Sequence, residues 1–213
     1  LSEGTRLEGD LFSPAGLKVG EKRPGIVLCH GFTGLRAGIL PDYAKVFAEA
    51  GFVALTFDYR GFGGSQGTKW RLIPLEQIDD IRNAITYLQG QPEVDAERIG
   101  LWGTSFGGGH APYTAGIDSR GYADRVRLRQ QLQADQHRRV REGTGGTLDA
   151  ITILNAAQTR AFLEPLLKDH PTMKCELSWE TVEKTLEYKP IDVVDKISPR
   201  PLLLIGARDD DTC

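Results

Sequence analysis

The sequence predicts an α/β protein, a mostly parallel, doubly wound sheet with helices on both faces and a helical cap inserted into it. Three observations lead there. Apolar runs at 24–29 (PGIVLC), 52–57 (FVALTF) and 99–102 (IGLW) have the length and unbroken hydrophobicity of strands buried on both faces. The stretches between them carry apolar residues at helical spacing. Each run also leaves into a glycine-rich loop, HGFTG at 30–34, DYRGFGGS at 58–65 and GTSFGG at 103–108, which puts the polar residues at the carboxyl edge where α/β sites are built.

The elements follow in order. After the first run, Tyr43, Val46 and Phe47 mark a helix over 42–50 that Gly51 stops. With the run at 52–57 this makes a βαβ unit, for which parallel strands and a right-handed crossover are the rule. From about Leu75, the stripe Ile78, Ile81, Ala84, Ile85 and Leu88 predicts a second helix. Residues 94–98 (VDAER) read as a turn, 99–102 as the next strand and 201–205 (PLLLI) as a late strand running into Asp209, Asp210 and Asp211. Residues 121–198 are polar and read as helices, arginine-rich over 121–142 with Val126, Leu132 and Val140 interleaved, then 161–168 and 179–188. The expected organisation is a core of 1–120 and 199–213 with a cap of 121–198. A parallel sheet also needs a strand after the helix that begins near residue 105, yet 115–124 holds no apolar run. One strand and the C-terminal end of the fold are therefore expected to be missing; either the protein lacks that strand or, the favoured reading, residues near Arg120 and Gly121 are absent from the sequence.

Composition narrows the function classes. A chain of 213 residues with net charge −3 and 25 glycines is sized for one core, and its charge does not suit nucleic acid. The arginine-rich stretch reads as the solvated face of an amphipathic helix. No apolar run reaches the roughly 18 residues that span a bilayer, and LSEGTRLEGD lacks the order of a signal peptide. It also lacks an initiator Met. Cys29, Cys175 and Cys213 are too few and too scattered for a disulfide framework or a metal site, so a cytoplasmic location without metal is expected. Cys29 reads as core packing.

Gly103-Thr104-Ser105-Phe106-Gly107 fits G-x-S-x-G. Its context gives it weight: a buried strand precedes it and a helix follows, as a strained nucleophile turn requires. A serine hydroxyl attacks only with a general base, an acid that orients the base, and donors for the oxyanion. The backbone N–H of Phe106 is one expected donor, and that of Phe32, in the loop after the first strand, is the other. The acid is expected among Asp209, Asp210 and Asp211. His30 suits bracing its own loop, and His110, His137 and His170 read as packed or solvated side chains. In this chain order the base follows the acid, so the histidine is expected after Cys213. This chemistry needs no cofactor.

HGFTG, DYRGFGGS, GTSFGG and PLLLIGARDDD, in this order, resemble the α/β-hydrolase superfamily across nearly the whole chain. Within it, FAEAGFVALTFDYRGFGGS and ITYLQGQPEVDAERIGLWGTSFGGGH resemble esterase-like hydrolases related to dienelactone hydrolases, prolyl-peptidase-like enzymes and fungal polyketide transferases. HGFTG also resembles the oxyanion loop of cinnamoyl and feruloyl esterases. The resemblance implies Ser105 as nucleophile and Phe32 and Phe106 as oxyanion donors. It places the acid nine residues after Pro201, at Asp210, with Asp209 second. The implied function is a serine hydrolase that cleaves a carboxylic ester or related acyl bond through an acyl-Ser105 intermediate. Acyl transfer of the polyketide type, peptide hydrolysis and non-catalytic binding are the alternatives. The expected partner is a small acyl substrate rather than nucleic acid or membrane, and homo-oligomerisation is left open.

Overall fold

The computed structural model describes residues 2, 4–118, 147–149, 157–169, 176–178, 181, 184–185, 188–198 and 200–205. Four strands form the main sheet: β1 (Gly9–Phe12), β2 (Arg23–Cys29), β3 (Val53–Phe57) and β4 (Val94–Gly103), in spatial order β1-β3-β2-β4. β2 runs parallel to both β3 and β4, while β1 pairs antiparallel with β3. The helices are α1 (Leu40–Glu49), α2 (Pro74–Gln89) and α3 (Phe106–Ile117). Proline in the first turn of α1 and of α2 presets the backbone where no N–H partner is needed.

Strand side chains alternate between faces, and this alternation divides the core. Val27, Cys29, Val53, Leu55 and Phe57 face α2, meeting Ile78, Ile81, Ala84 and Leu88, with Phe106, Tyr113 and Ile117 of α3 packed alongside. Ile26, Leu28 and Ala54 point the other way onto Leu40 and Ala44 of α1. Helices on both faces of a mostly parallel sheet are the doubly wound architecture that the sequence implied.

The turn expected at 94–98 lies inside β4. Pro24 pairs with Asp95 but Gly25 pairs with Ile99, so residues 96–98 form an irregularity in a longer strand. β1 went unread because GDLF carries only two apolar residues at the sheet edge.

The late strand is corrected. Residues 201–205 are irregular, and Leu203 and Ile205 are 81% and 89% exposed. Apolar composition makes a segment suitable as a strand, but only a neighbouring ladder satisfies its N–H and C=O groups. No described strand offers one to 201–205, and among the described residues β4 has β2 as its single neighbour.

The segment read as helical is mixed. It holds α4 (Ala157–Asp169) but also β5 (Thr147–Asp149) and β6 (Glu176–Ser178), an antiparallel pair too short to show a period in sequence. Leu177 of β6 is fully buried in the α2-side cluster. A 3-10 segment, Pro190–Ile197, buries Val193 and Ile197 against α3. Helix and segment approach so closely at Gly116 that a Cβ there would overlap the carbonyl oxygen of Val193 and sit 3.0 Å from its carbon. Gly116→Ala should therefore lower stability by about 1–3 kcal/mol through overpacking, read as a lower urea midpoint. An unchanged midpoint would show that the segment does not pack there.

Candidate active site

The site forms where β2 and β4 end side by side. Ser105 joins β4 to α3 with φ 53° and ψ −126°, a left-handed backbone that costs a non-glycine residue on the order of 1–3 kcal/mol. Packing below enforces it. A Cβ at Gly107 would overlap Cys29 O and come within 2.6 Å of His30 O, and one at Gly103 would overlap Gly107 O. The glycines of G-x-S-x-G thus let the first turn of α3 lie directly on the end of β2. Thr104 N–H donates to Cys29 O at 3.4 Å and Gly108 N–H to Ser105 O at 2.8 Å, closing the turn.

Serine at a helix N-cap ordinarily accepts a bond from the first turn. Ser105 makes no such bond, and its side chain is exposed. Its hydroxyl is thereby left to the solvent side of the site. The N–H of Phe106, at the first position of α3, belongs to the group that no helical carbonyl can satisfy.

The HGFTG loop faces this turn. A Cβ on Gly31 would lie 3.0 Å from Ser105 Cβ and 3.4 Å from its Oγ, a tight contact that a side chain there would have to relieve by displacing one or the other. His30 is buried, and desolvation lowers its pKa. The neutral ring donates from Nδ1–H to Gly31 O at 2.9 Å, and Gly34 N–H donates to the same oxygen at 3.1 Å. In a trans peptide the next N–H points opposite to that carbonyl. The Phe32 N–H is accordingly turned away from His30. Arg36 ties the loop to the sheet edge: Asp58, buried at the end of β3, accepts from Arg36 N–H at 2.8 Å and from its Nη1 at 3.2 Å.

His110 is also buried, one and a half turns along α3. Its Nε2–H donates to Gln77 Oε1 at 2.9 Å, leaving Nδ1 to accept from the Tyr188 hydroxyl at 3.0 Å. Neither His30 nor His110 hydrogen-bonds Ser105. His137, His170 and Asp210 lie outside the described residues, as do Asp209 and Asp211. The structure therefore brings together Ser105, Phe32 and Phe106 of the expected constellation. What sequence reasoning missed is the Tyr188–His110–Gln77 chain, whose signal was a histidine and a tyrosine 78 residues apart.

A strand-turn-helix with a strained, exposed serine on a doubly wound sheet defines the chain as an α/β hydrolase by fold. The family model described as Hydrolase_4, serine aminopeptidase S33, matches residues 20–126, and the chain belongs to that α/β-hydrolase family. It is similar to an uncharacterized 31.7 kDa protein of Escherichia coli, 35% identical over 209 residues, covering 88% of this chain and 73% of that one. It is also similar to the thiohydrolase aneE of Aspergillus aculeatus, at 30% identity over 99% of this chain and 75% of the relative. The polyketide transferase grgF of Penicillium is 28% identical over 99% of this chain and 77% of that protein. The crystal structure of the Penicillium α/β hydrolase GrgF superposes with a TM-score of 0.70 at 25% identity, covering 92% of this chain and 74% of its own. No described helix is long and apolar enough to cross a membrane.

Burial lowers the His110 pKa from 6.5 to about 3. The unfolded chain then binds its proton first, so stability falls as pH drops from about 6.5 towards 3, by up to about 1.4 kcal/mol per unit from this group. Urea unfolding from pH 7 downwards should show a shallower decline in His110→Gln than in the wild type. Equal slopes would mean that His110 titrates normally.

Proposed function

We propose that this protein is a serine hydrolase that cleaves a carboxylic ester or related acyl bond through an acyl-Ser105 intermediate. The observation that carries the reading is Ser105 itself, held at positive φ, exposed, and not consumed in capping its helix. Strain at a residue whose side chain caps nothing is characteristic of a site where geometry is reserved for chemistry.

In the proposed reaction Ser105 Oγ attacks the acyl carbon as a histidine takes its proton. The carbonyl oxygen becomes an oxyanion and accepts from the N–H groups of Phe32 and Phe106. One such donor supplies about 2.7–4 kcal/mol of transition-state stabilisation. The tetrahedral species collapses as the C–O or C–S bond to the leaving group breaks, and the leaving group takes the proton from the histidine. Water then attacks the acyl carbon by the same route, releasing the acid and restoring Ser105. Asp210 is proposed to orient the histidine, with Asp209 second. The thiohydrolase relative supports including thioesters among the acyl donors. No cofactor enters any step.

A second reading, acyl transfer, is favoured by the polyketide transferase relative. It differs only in the second acceptor, an alcohol or amine in place of water. The family description favours peptide hydrolysis third, since an acyl-enzyme serves amides as well.

Hydrolysis of p-nitrophenyl esters should fall by roughly four to six orders of magnitude in Ser105→Ala. Mass spectrometry of a rapidly quenched mixture should find the acyl group on Ser105. Full activity in Ser105→Ala would refute the reading. When a primary alcohol is added, an acylated alcohol as the dominant product would move the assignment to transfer.

A further inference from the structure

Tyr188 and His110 lie at the junction of three parts of the molecule and take no part in the proposed chemistry. Tyr188 lies two residues before the 3-10 segment, His110 sits on α3, and Gln77 on α2. All three are at least partly buried, His110 fully. The Tyr188 hydroxyl donates to His110 Nδ1 and shares its proton with the Gly109 carbonyl at 3.1 Å. His110 Nε2–H continues the chain to Gln77. A tautomer fixed at both nitrogens fixes the plane of the ring.

On that ring rests the side chain of Phe106, with centroids 4.5 Å apart, and Tyr188 flanks it at 6.0 Å. Phe32 in turn stands edge-on to Phe106 at 5.3 Å and 87°. Tyr188, His110, Phe106 and Phe32 in this order form a continuous chain of tilted and edge-to-face ring contacts. It starts at a hydrogen-bonded anchor and ends on the two proposed oxyanion donors, Phe106 adjoining Ser105 and Phe32 adjoining Gly31, whose backbone approaches Ser105. Phe32 and Phe106 are partly buried and packed against the α2-side cluster, and the His110 ring is the neighbour of Phe106 that is hydrogen-bonded at both nitrogens.

We infer that Tyr188 and His110 are positioning residues, whose hydrogen-bonded chain to Gln77 holds the Phe106 and Phe32 rings and so fixes the two N–H donors beside Ser105. This rests on the reading of Phe32 and Phe106 as oxyanion donors. It adds that a residue late in the 121–198 region, Tyr188, controls the geometry of the site.

Tyr188→Phe tests it, because the ring stays and only the hydroxyl is lost. In the full chain, amide hydrogen exchange over residues 31–34 and 105–108 should quicken several-fold. The rate of Ser105 modification by a fluorophosphonate should fall about tenfold, as expected for a small displacement of catalytic groups. Gln77→Met, which removes the other anchor, should act in the same direction. A lower melting temperature with exchange at both loops and Ser105 reactivity unchanged would reduce the chain to a structural role and overturn the inference. If wild-type Ser105 does not react at all, the hydrolase reading fails. The exchange comparison then decides alone whether Tyr188 fixes the two loops.

Discussion

The left-handed turn at Ser105 is the constraint on which the remainder depends. It exists because α3 begins almost in contact with the last residues of β2, with glycine at 103 and 107 where any Cβ would strike backbone. A strained conformation persists only when its surroundings over-determine it. Here the surroundings are the parallel pairing of β2 with β4 and the packing of α3 on the sheet. These place the serine hydroxyl, the start of a helix and the Gly31 loop within one small volume.

The same juxtaposition explains the histidines. His30 follows β2 directly and is buried against the Gly31 carbonyl and aromatic neighbours, including Tyr59 at 4.4 Å. Its bond to Gly31 O orients a peptide rather than a substrate. His110 lies five residues after Ser105, facing the core, with both nitrogens committed. Desolvation keeps both rings neutral near pH 7, since burial penalises the imidazolium. Neutral imidazoles with fixed tautomers make directional braces. They work here as structure beneath the turn that holds Ser105.

The sheet was legible in sequence to the extent that local pattern determines it. The runs at 24–29 and 52–57 became β2 and β3, largely buried and apolar because both faces of these strands are covered, while 99–102 became part of β4 and is only half-buried. The turn at 103–107 was legible for a steric reason, since only glycine tolerates those approaches. Pairing was not legible. PLLLI has the same local character as VALTF, yet one is exposed and irregular while the other is the most buried strand of the sheet. A neighbouring ladder decides between them, and that is a long-range property. The three-residue strands β5 and β6 and the Tyr188–His110 bond escaped for the same reason. They join residues 29 and 78 positions apart through contacts without any period.

In the proposed reaction the strained turn presents Ser105 Oγ to an acyl carbon whose oxygen falls between the N–H groups of Phe32 and Phe106. A crystal structure of the protein after reaction with an alkyl fluorophosphonate reads this directly. The account predicts a covalent Oγ–P bond, with the phosphoryl oxygen about 2.7–3.1 Å from both backbone nitrogens and Ser105 still at positive φ. An adduct whose phosphoryl oxygen points away from both nitrogens, or phosphonylation at another residue, would contradict it.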